Sequence, residues 1–235
     1  MFDIEMGWRY LLFANWPLDP AAVGARLPDS MTVDTYEGDA WLSVVPFTNV
    51  DVRPAWVPPG LGLPLPELNL RTYVTVDGEP GVYFFSLDAD GILGVSGARL
   101  FHHLPYYYAD IDIDVEGKRG SETVTFDSRR RHPGARYTRF SATYGPSGEE
   151  FRADADSLES FLTERYRYYA EGRHGELRYA NIDHDPWPLY SADVTVHENS
   201  LFSANGFDHP ETGPTFYYSP GVDTRASRSL VWDRL

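Results

Sequence analysis

Between Ala109 and Val115 apolar and acidic residues alternate strictly, with Ile111, Ile113 and Val115 on one side and Asp110, Asp112 and Asp114 on the other. Such a period of two predicts a strand with one face on a core and the other in water. Three spaced carboxylates also raise a cation site, but they lack the tight turn of a calcium loop, and a solvated strand face explains them better. Further strands are expected at 40–47, 67–76, 82–87, 122–129, 136–144, 176–182, 192–197 and 215–219. There, short runs rich in Val, Phe, Tyr and Thr are punctuated by the chain's 20 Gly and 18 Pro. Helix is scarce. Asp19-Pro20 supplies an N-cap and a first-turn proline for a short helix over 19–27. Leu158, Phe161, Leu162, Arg165, Tyr166 and Tyr169 repeat at helical spacing, and Asp156 with Glu159 reads as a capping box, which predicts a helix over 156–170. The Pro-rich stretch from Pro54 to Pro66 reads as a long connection. No repeat or linker interrupts the pattern, so 1–235 is expected to form a single, mainly β domain of α+β type.

Charge narrows the partners. The chain carries 35 acidic against 20 basic residues, a formal net charge of −15. Phosphate binding draws on Lys and Arg, so neither nucleic acid nor an anionic membrane surface is an expected partner. Of the basic residues 19 are Arg and only Lys118 is Lys. Together with the excess of Asp over Glu, this predicts adaptation to high salt, which screens the self-repulsion of such a chain. The apolar stretches, such as Gly81 to Leu87, are far shorter than the ~20 residues of a spanning helix, and a cytoplasmic protein is expected.

The usual signatures of chemistry are missing. Without cysteine, thiolate nucleophiles and Cys-ligated zinc are excluded. His102 and His103 are adjacent and would point to opposite faces of a strand, while His132, His184 and His209 lie just before prolines and read as turn residues. No HExxH pair, G-x-S-x-G elbow, Walker loop or dinucleotide fingerprint occurs, so neither a metal nor another cofactor is expected. What remains is a polar row. In 67–73, Glu67, Asn69, Arg71 and Tyr73 share one strand face and Leu68, Leu70 and Thr72 the other. Facing solvent, the row is an ordinary outer surface. Facing inward, its charges need each other or a ligand, because isolated buried charge is costly.

Several stretches resemble the YqjF-like family of bacteria and archaea, also known as DUF2071. They include Trp8-Arg9-Tyr10-Leu11-Leu12-Phe13, Trp41-Leu42-Ser43-Val44-Val45-Pro46-Phe47, Pro66-Glu67-Leu68-Asn69-Leu70-Arg71-Thr72-Tyr73-Val74, Leu104-Pro105-Tyr106-Tyr107-Tyr108-Ala109 and Pro186-Trp187-Pro188-Leu189. The resemblance spans essentially the whole chain. It implies the acetoacetate decarboxylase-like fold, a closed, largely antiparallel β-barrel with a few outer helices. The decarboxylase opens its first helix after an arginine and an x-Asp-Pro; here Asp19-Pro20 is kept and the arginine position falls on Pro17. Its Arg, five residues, then Pro-Lys-Lys is matched by Arg99 and Pro105, but the lysines become Tyr106 and Tyr107. A phenol cannot form an imine, and Lys118 sits in a hydrophilic hairpin turn, so Schiff-base decarboxylation of acetoacetate is not expected.

The resemblance also implies that Glu67 sits near a pocket. The leading expectation is a barrel that binds a small carboxylate- or carbonyl-bearing organic molecule. Arg71 or Arg99 would clamp the anion, Asn69 and Tyr73 would line the site, and Glu67 and Tyr106 would serve as acid and base in lyase or isomerase chemistry. Two alternatives stand beside it: a non-catalytic ligand-binding or regulatory module, and a barrel plugged by aromatic side chains. Assembly into a homo-oligomer is a further expectation from the resemblance.

Overall fold

A computed structural model describes residues 2–91, 104–172 and 174–233. Thirteen strands form one sheet. The first four are β1 (Phe2–Leu18), β2 (Thr32–Val33), β3 (Ala40–Pro54) and β4 (Leu63–Val76). They are followed by β5 (Glu79–Asp90), β6 (Tyr106–Glu116), β7 (Thr123–Arg130), β8 (Arg139–Phe151) and β9 (Arg167–Glu171). The last are β10 (Leu177–His184), β11 (Leu189–Asn199), β12 (Thr215–Ser227) and β13 (Leu230–Val231). Among the described residues three short helices punctuate them: α1 (Pro20–Gly24), α2 (Leu158–Thr163) and α3 (Leu201–Ala204).

The sheet closes on itself twice. One ring runs β1-β3-β4-β5-β6-β7-β8-β11-β12 and back to β1. A second runs β1-β3-β4-β5-β9-β10-β12 and back. The rings separate where two strands change partners along their length. β5 pairs with β9 through Val82 and Tyr83 but with β6 from Leu87 to Asp90, and β12 pairs with β11 through Tyr217 and Tyr218 but with β10 from Thr224 to Ala226. Only the β5–β6 and β5–β9 pairings are parallel. The expected closed, largely antiparallel architecture is therefore present as closed rings of strands that share a wall, not as one simple barrel.

That shared wall explains the sequence of β3, where every residue from Ala40 to Asn49 is buried. A strand covered on both faces reads as a continuous apolar run, with no alternation. The pleat sends neighbouring residues to different cores. Leu12, Ala14, Leu42, Val44, Leu68 and Leu70 pack with Ile111, Phe126 and Phe140 in one core. Leu11, Phe13, Val45, Phe47 and Tyr73 pack with Val82, Tyr168 and Trp187 in the other. The outward aspartates of β6 are exposed, as their alternation predicts.

The helix expected over 156–170 is confined to α2. Asp156 takes a positive φ of 64°, so the cap moves to Ser157, whose side chain accepts from Ser160 N. Arg167–Glu171 instead forms β9, whose backbone pairs with both β5 and β10. Tertiary pairing overrides a helical spacing made largely of aromatics, which suit strands equally well. The helix expected over 19–27 is shortened to α1, capped by Asp19 through Ala21 N at 2.8 Å. The Pro-rich connection is shorter than expected, since β3 runs to Pro54 and β4 begins at Leu63. Asp51 ties this loop down by accepting from Gly60 N and Gly62 N at 2.9 and 2.7 Å.

Candidate functional site

The second ring holds a partly open cavity of about 140 Å³. Its walls come from the inward faces of β1, β3, β4 and β5, closed over by β9, β10 and the segments around Thr163 and Trp187. Glu67, Asn69 and Arg71 line it, so the polar row of β4 faces inward while Leu68 and Leu70 fill the other core. The rest of the wall is mostly apolar and aromatic, including Trp8, Phe13, Phe47, Phe84, Tyr168 and Trp187. Trp8 and Trp187 stack with centroids 5.8 Å apart and planes 4° apart.

Glu67 and Tyr106 meet here from different strands. The Tyr106 hydroxyl lies 3.3 Å from both carboxyl oxygens, a long contact shared between them. Asn49 on β3 donates to Glu67 Oε1 at 2.8 Å. No arginine reaches the carboxyl within ion-pair distance among the described residues. Burial among apolar walls therefore raises the Glu67 carboxyl from 4.5 to about 8, against the opposing pull of the Tyr106 and Asn49 hydrogen bonds. At neutral pH the group is largely a neutral acid. Burial, and then the Glu67 charge, push the Tyr106 phenol well above its ordinary range. The result is a carboxylic acid able to give a proton near neutrality, beside a phenol that stays protonated.

Arg71 provides the cation. Its Nη2 donates to the Leu162 carbonyl at 2.9 Å, and its Nε is buried without a hydrogen-bond partner. The other two cavity arginines are neutralised, Arg165 by Asp34 at 2.8 Å and Arg167 by Glu79 at 3.2 Å. Among the described residues no carboxylate pairs with Arg71, which leaves it the cavity's uncompensated charge. Asn69 Oδ1 is likewise buried without a partner. Tyr73 is placed differently. It is buried on the same strand face but is not part of the cavity wall, and its hydroxyl is held by Ser43 Oγ at 2.7 Å and the Leu162 carbonyl at 2.8 Å. Arg99, and with it the His102-His103 pair, lies outside the described residues. Lys118 is exposed in the turn between β6 and β7, away from the cavity wall. Tyr107 lies under the Arg130 guanidinium, which sits 4.0 Å from the centre of its ring.

The family model for uncharacterized conserved proteins designated DUF2071 matches residues 5–223. The chain belongs to the DUF2071 family. Within it, the uncharacterized protein YqjF of Bacillus subtilis (strain 168) is 42% identical over 218 residues, which span 92% of this chain and 87% of that protein. Solved structures extend the likeness of this DUF2071 protein at the level of fold. An acetoacetate decarboxylase-like enzyme from Sphingomonas wittichii RW1 superposes with a TM-score of 0.67 at 16% identity, covering 100% of this chain and 95% of that one. The enduracididine biosynthesis enzyme MppR complexed with pyruvate gives 0.66 at 13% identity, covering 97% and 90%. Acetoacetate decarboxylase from Legionella pneumophila gives 0.63 at 14% identity, covering 98% and 87%.

Four residues of the DUF2071 site escaped the sequence reading. Asn49 sits in a run that reads only as buried strand, and its tie to Glu67 follows from the β3–β4 register, in which Phe47 pairs with Glu67. His184 reads as a turn residue before Pro186, yet it ends β10 on the cavity wall, stacked on Tyr166 at 4.7 Å, and burial lowers its pKa. Trp8 and Trp187 are distant in sequence, and only ring closure brings them together. Among the described residues no cluster of His, Asp or Glu could hold a metal ion, and no helix is long and apolar enough to cross a membrane.

Proposed function

We propose that the cavity binds a small organic molecule bearing a carboxylate or carbonyl group, and that Glu67 and Tyr106 exchange a proton with it in lyase or isomerase chemistry. The observation that carries this reading is the pairing of unlike polar groups in one apolar chamber. A buried acid with a pKa of about 8 lies against a phenol at one end, and a guanidinium without a carboxylate partner lies along the same strand. A carboxyl whose ionisation burial moves towards neutrality is typical of acid–base sites. A half-buried guanidinium with no carboxylate partner and a buried, unpartnered Nε favours an anionic ligand, because the ligand then supplies the missing counter-charge. Arg71 holds the carboxylate by charge-assisted hydrogen bonds. Glu67 delivers or accepts the proton, and Tyr106 donates a hydrogen bond to the oxygen on which charge develops. No step uses an amine, since no lysine lines the chamber.

The test is a thermal-shift screen of small organic acids, keto acids and aldehydes in molar salt, followed by mass analysis of each stabilising compound. A stabiliser that is consumed supports the acid–base reading, and Glu67→Gln or Tyr106→Phe then lowers turnover at least tenfold, within the range one acid–base group supplies. A stabiliser recovered unchanged assigns the protein to the non-catalytic binding class.

A further inference from the structure

The two polar ends of the chamber are pulled apart. Glu67 and Arg71 are separated by four residues of β4, whose pairing with β3 is continuous from Leu65 to Thr72. Four strand residues span roughly 13 Å. Their side chains are anchored in opposite directions along the strand. Glu67 Oε1 is held by the Asn49 amide, which also donates to the carbonyl of Leu65 at 3.0 Å. Arg71 Nη2 shares the Leu162 carbonyl with the hydroxyl of Tyr73. The two groups thus lean away from each other and form no ion pair.

Allowing about 3 Å for a hydrogen bond at each end, and with both side chains leaning outward from this span, a ligand that engages both must place its own polar atoms at least roughly 7 Å apart. A 2-oxo acid has its ketone beside its carboxylate and is too short. Between the two ends the strand presents Asn69, whose Oδ1 is free to meet one polar group, and the rest of the chamber lining is mostly apolar, with Phe13, Val45, Leu87, Tyr168 and Trp187. The chamber is partly open, and its volume of about 140 Å³ suits a slim ligand of ring or short-chain width.

Resting on the reading of Arg71 as the anion site, we propose that the ligand is an elongated, two-ended acid: a carboxylate at Arg71, an apolar middle of ring or short-chain width, and a carbonyl or hydroxyl oxygen at Glu67 and Tyr106. Compact 2-oxo acids then fill only the Arg71 end. The neutral acid of Glu67 meets the far oxygen as a hydrogen-bond donor, while the ionised form would repel any second anion there. Selectivity for the position of the oxygen follows from strand geometry, not from the size of the chamber.

Three acids of equal carbon number separate these effects: heptanoate, 2-oxoheptanoate and 6-oxoheptanoate, titrated calorimetrically against the full chain at pH 6.5 in molar salt. The expected result is that 6-oxoheptanoate binds about tenfold more tightly than either of the others, the value of one well-placed hydrogen bond. Glu67→Leu and Tyr106→Phe should each narrow the ratio of 6-oxoheptanoate to heptanoate affinity, whereas Arg71→Met weakens all three. If 2-oxoheptanoate binds as tightly as the 6-oxo acid, the two-ended ligand is overturned while the anion site stands. If none of the three binds at millimolar concentration, both fall. Should a variant fail to fold, the comparison among the three acids on the unaltered chain still decides the matter.

Discussion

Asn49 donates one side-chain amide to two acceptors, Glu67 Oε1 at 2.8 Å and the Leu65 carbonyl at 3.0 Å, and so fixes which carboxyl oxygen carries the proton. With Oε1 accepting, the neutral acid holds its hydrogen on Oε2. The bond also favours the ionised form and opposes the upward pull of burial. Asn49→Ala should therefore raise the midpoint of Glu67 above about 8, read by carbon NMR of labelled glutamate. An unchanged midpoint would show that Asn49 does not act on the acid.

Stability should fall as pH rises through the range of this group. The Glu67 pKa is raised in the folded chain from an ordinary 4.5 to about 8. Its contribution is therefore fully present below about 4.5 and is lost progressively until pH passes about 8, because the unfolded chain ionises first. Glu67→Gln removes this dependence. Relative to the parent, the variant should gain a few kcal/mol between pH 5 and pH 9, given about 1.4 kcal/mol per pKa unit. Denaturant unfolding at the two pH values measures the difference, and parallel curves would contradict the neutral acid.

Incubation with acetoacetate and borohydride should leave the cavity unmodified. The sole lysine is exposed in a turn, away from the cavity wall. Peptide mass mapping after reduction is the check. A reduced adduct on a residue of the cavity would restore an imine route, and Lys118→Arg should leave ligand binding as it was.

The first core contains an ion pair that resists solvent. Arg130 contacts Asp88 at 2.7 Å, both nearly inaccessible, and Thr138 donates to the other carboxylate oxygen at 3.0 Å. Arg130→Met leaves the carboxylate buried without its cation, a change that costs about 3–5 kcal/mol in comparable settings. Unfolding free energy should drop by that amount, and a loss below about 1 kcal/mol would show that Asp88 finds other compensation.

Salt should stabilise the chain. With a net charge of −15, self-repulsion acts over a Debye length of about 30 Å at 0.01 M and only about 3 Å at 1 M. We propose that this composition reflects life at high ionic strength. The midpoint of thermal unfolding should climb steadily between 0.1 M and 2 M sodium chloride, and a flat response would leave the acidic surface without that role.

Alternation alone revealed most strands and set Glu67, Asn69 and Arg71 on one face. It did not tell which face met solvent, because β4 is covered on both sides and either set reads as interior. The partners of the polar row lie on other strands: Asn49 is 18 positions away and Tyr106 is 39. Such neighbours depend on register and closure, which a local pattern does not encode. The same limit accounts for β9, whose adjacent tyrosines suit a helix or a strand and settle only when β5 and β10 offer backbone partners.

Because the pleat of β4 hands alternate residues to two chambers, the strand tolerates no slip. Inserting one residue before Glu67 would turn Leu68 and Leu70 towards Arg165 and Trp187 and drive a carboxyl and a guanidinium against Phe126 and Phe140. Loops can lengthen and outer strands can vary, but this partition ties the greasy side of one compartment to the chemistry of the other. Remodelling the ligand site is then confined to exchanging side chains at fixed positions.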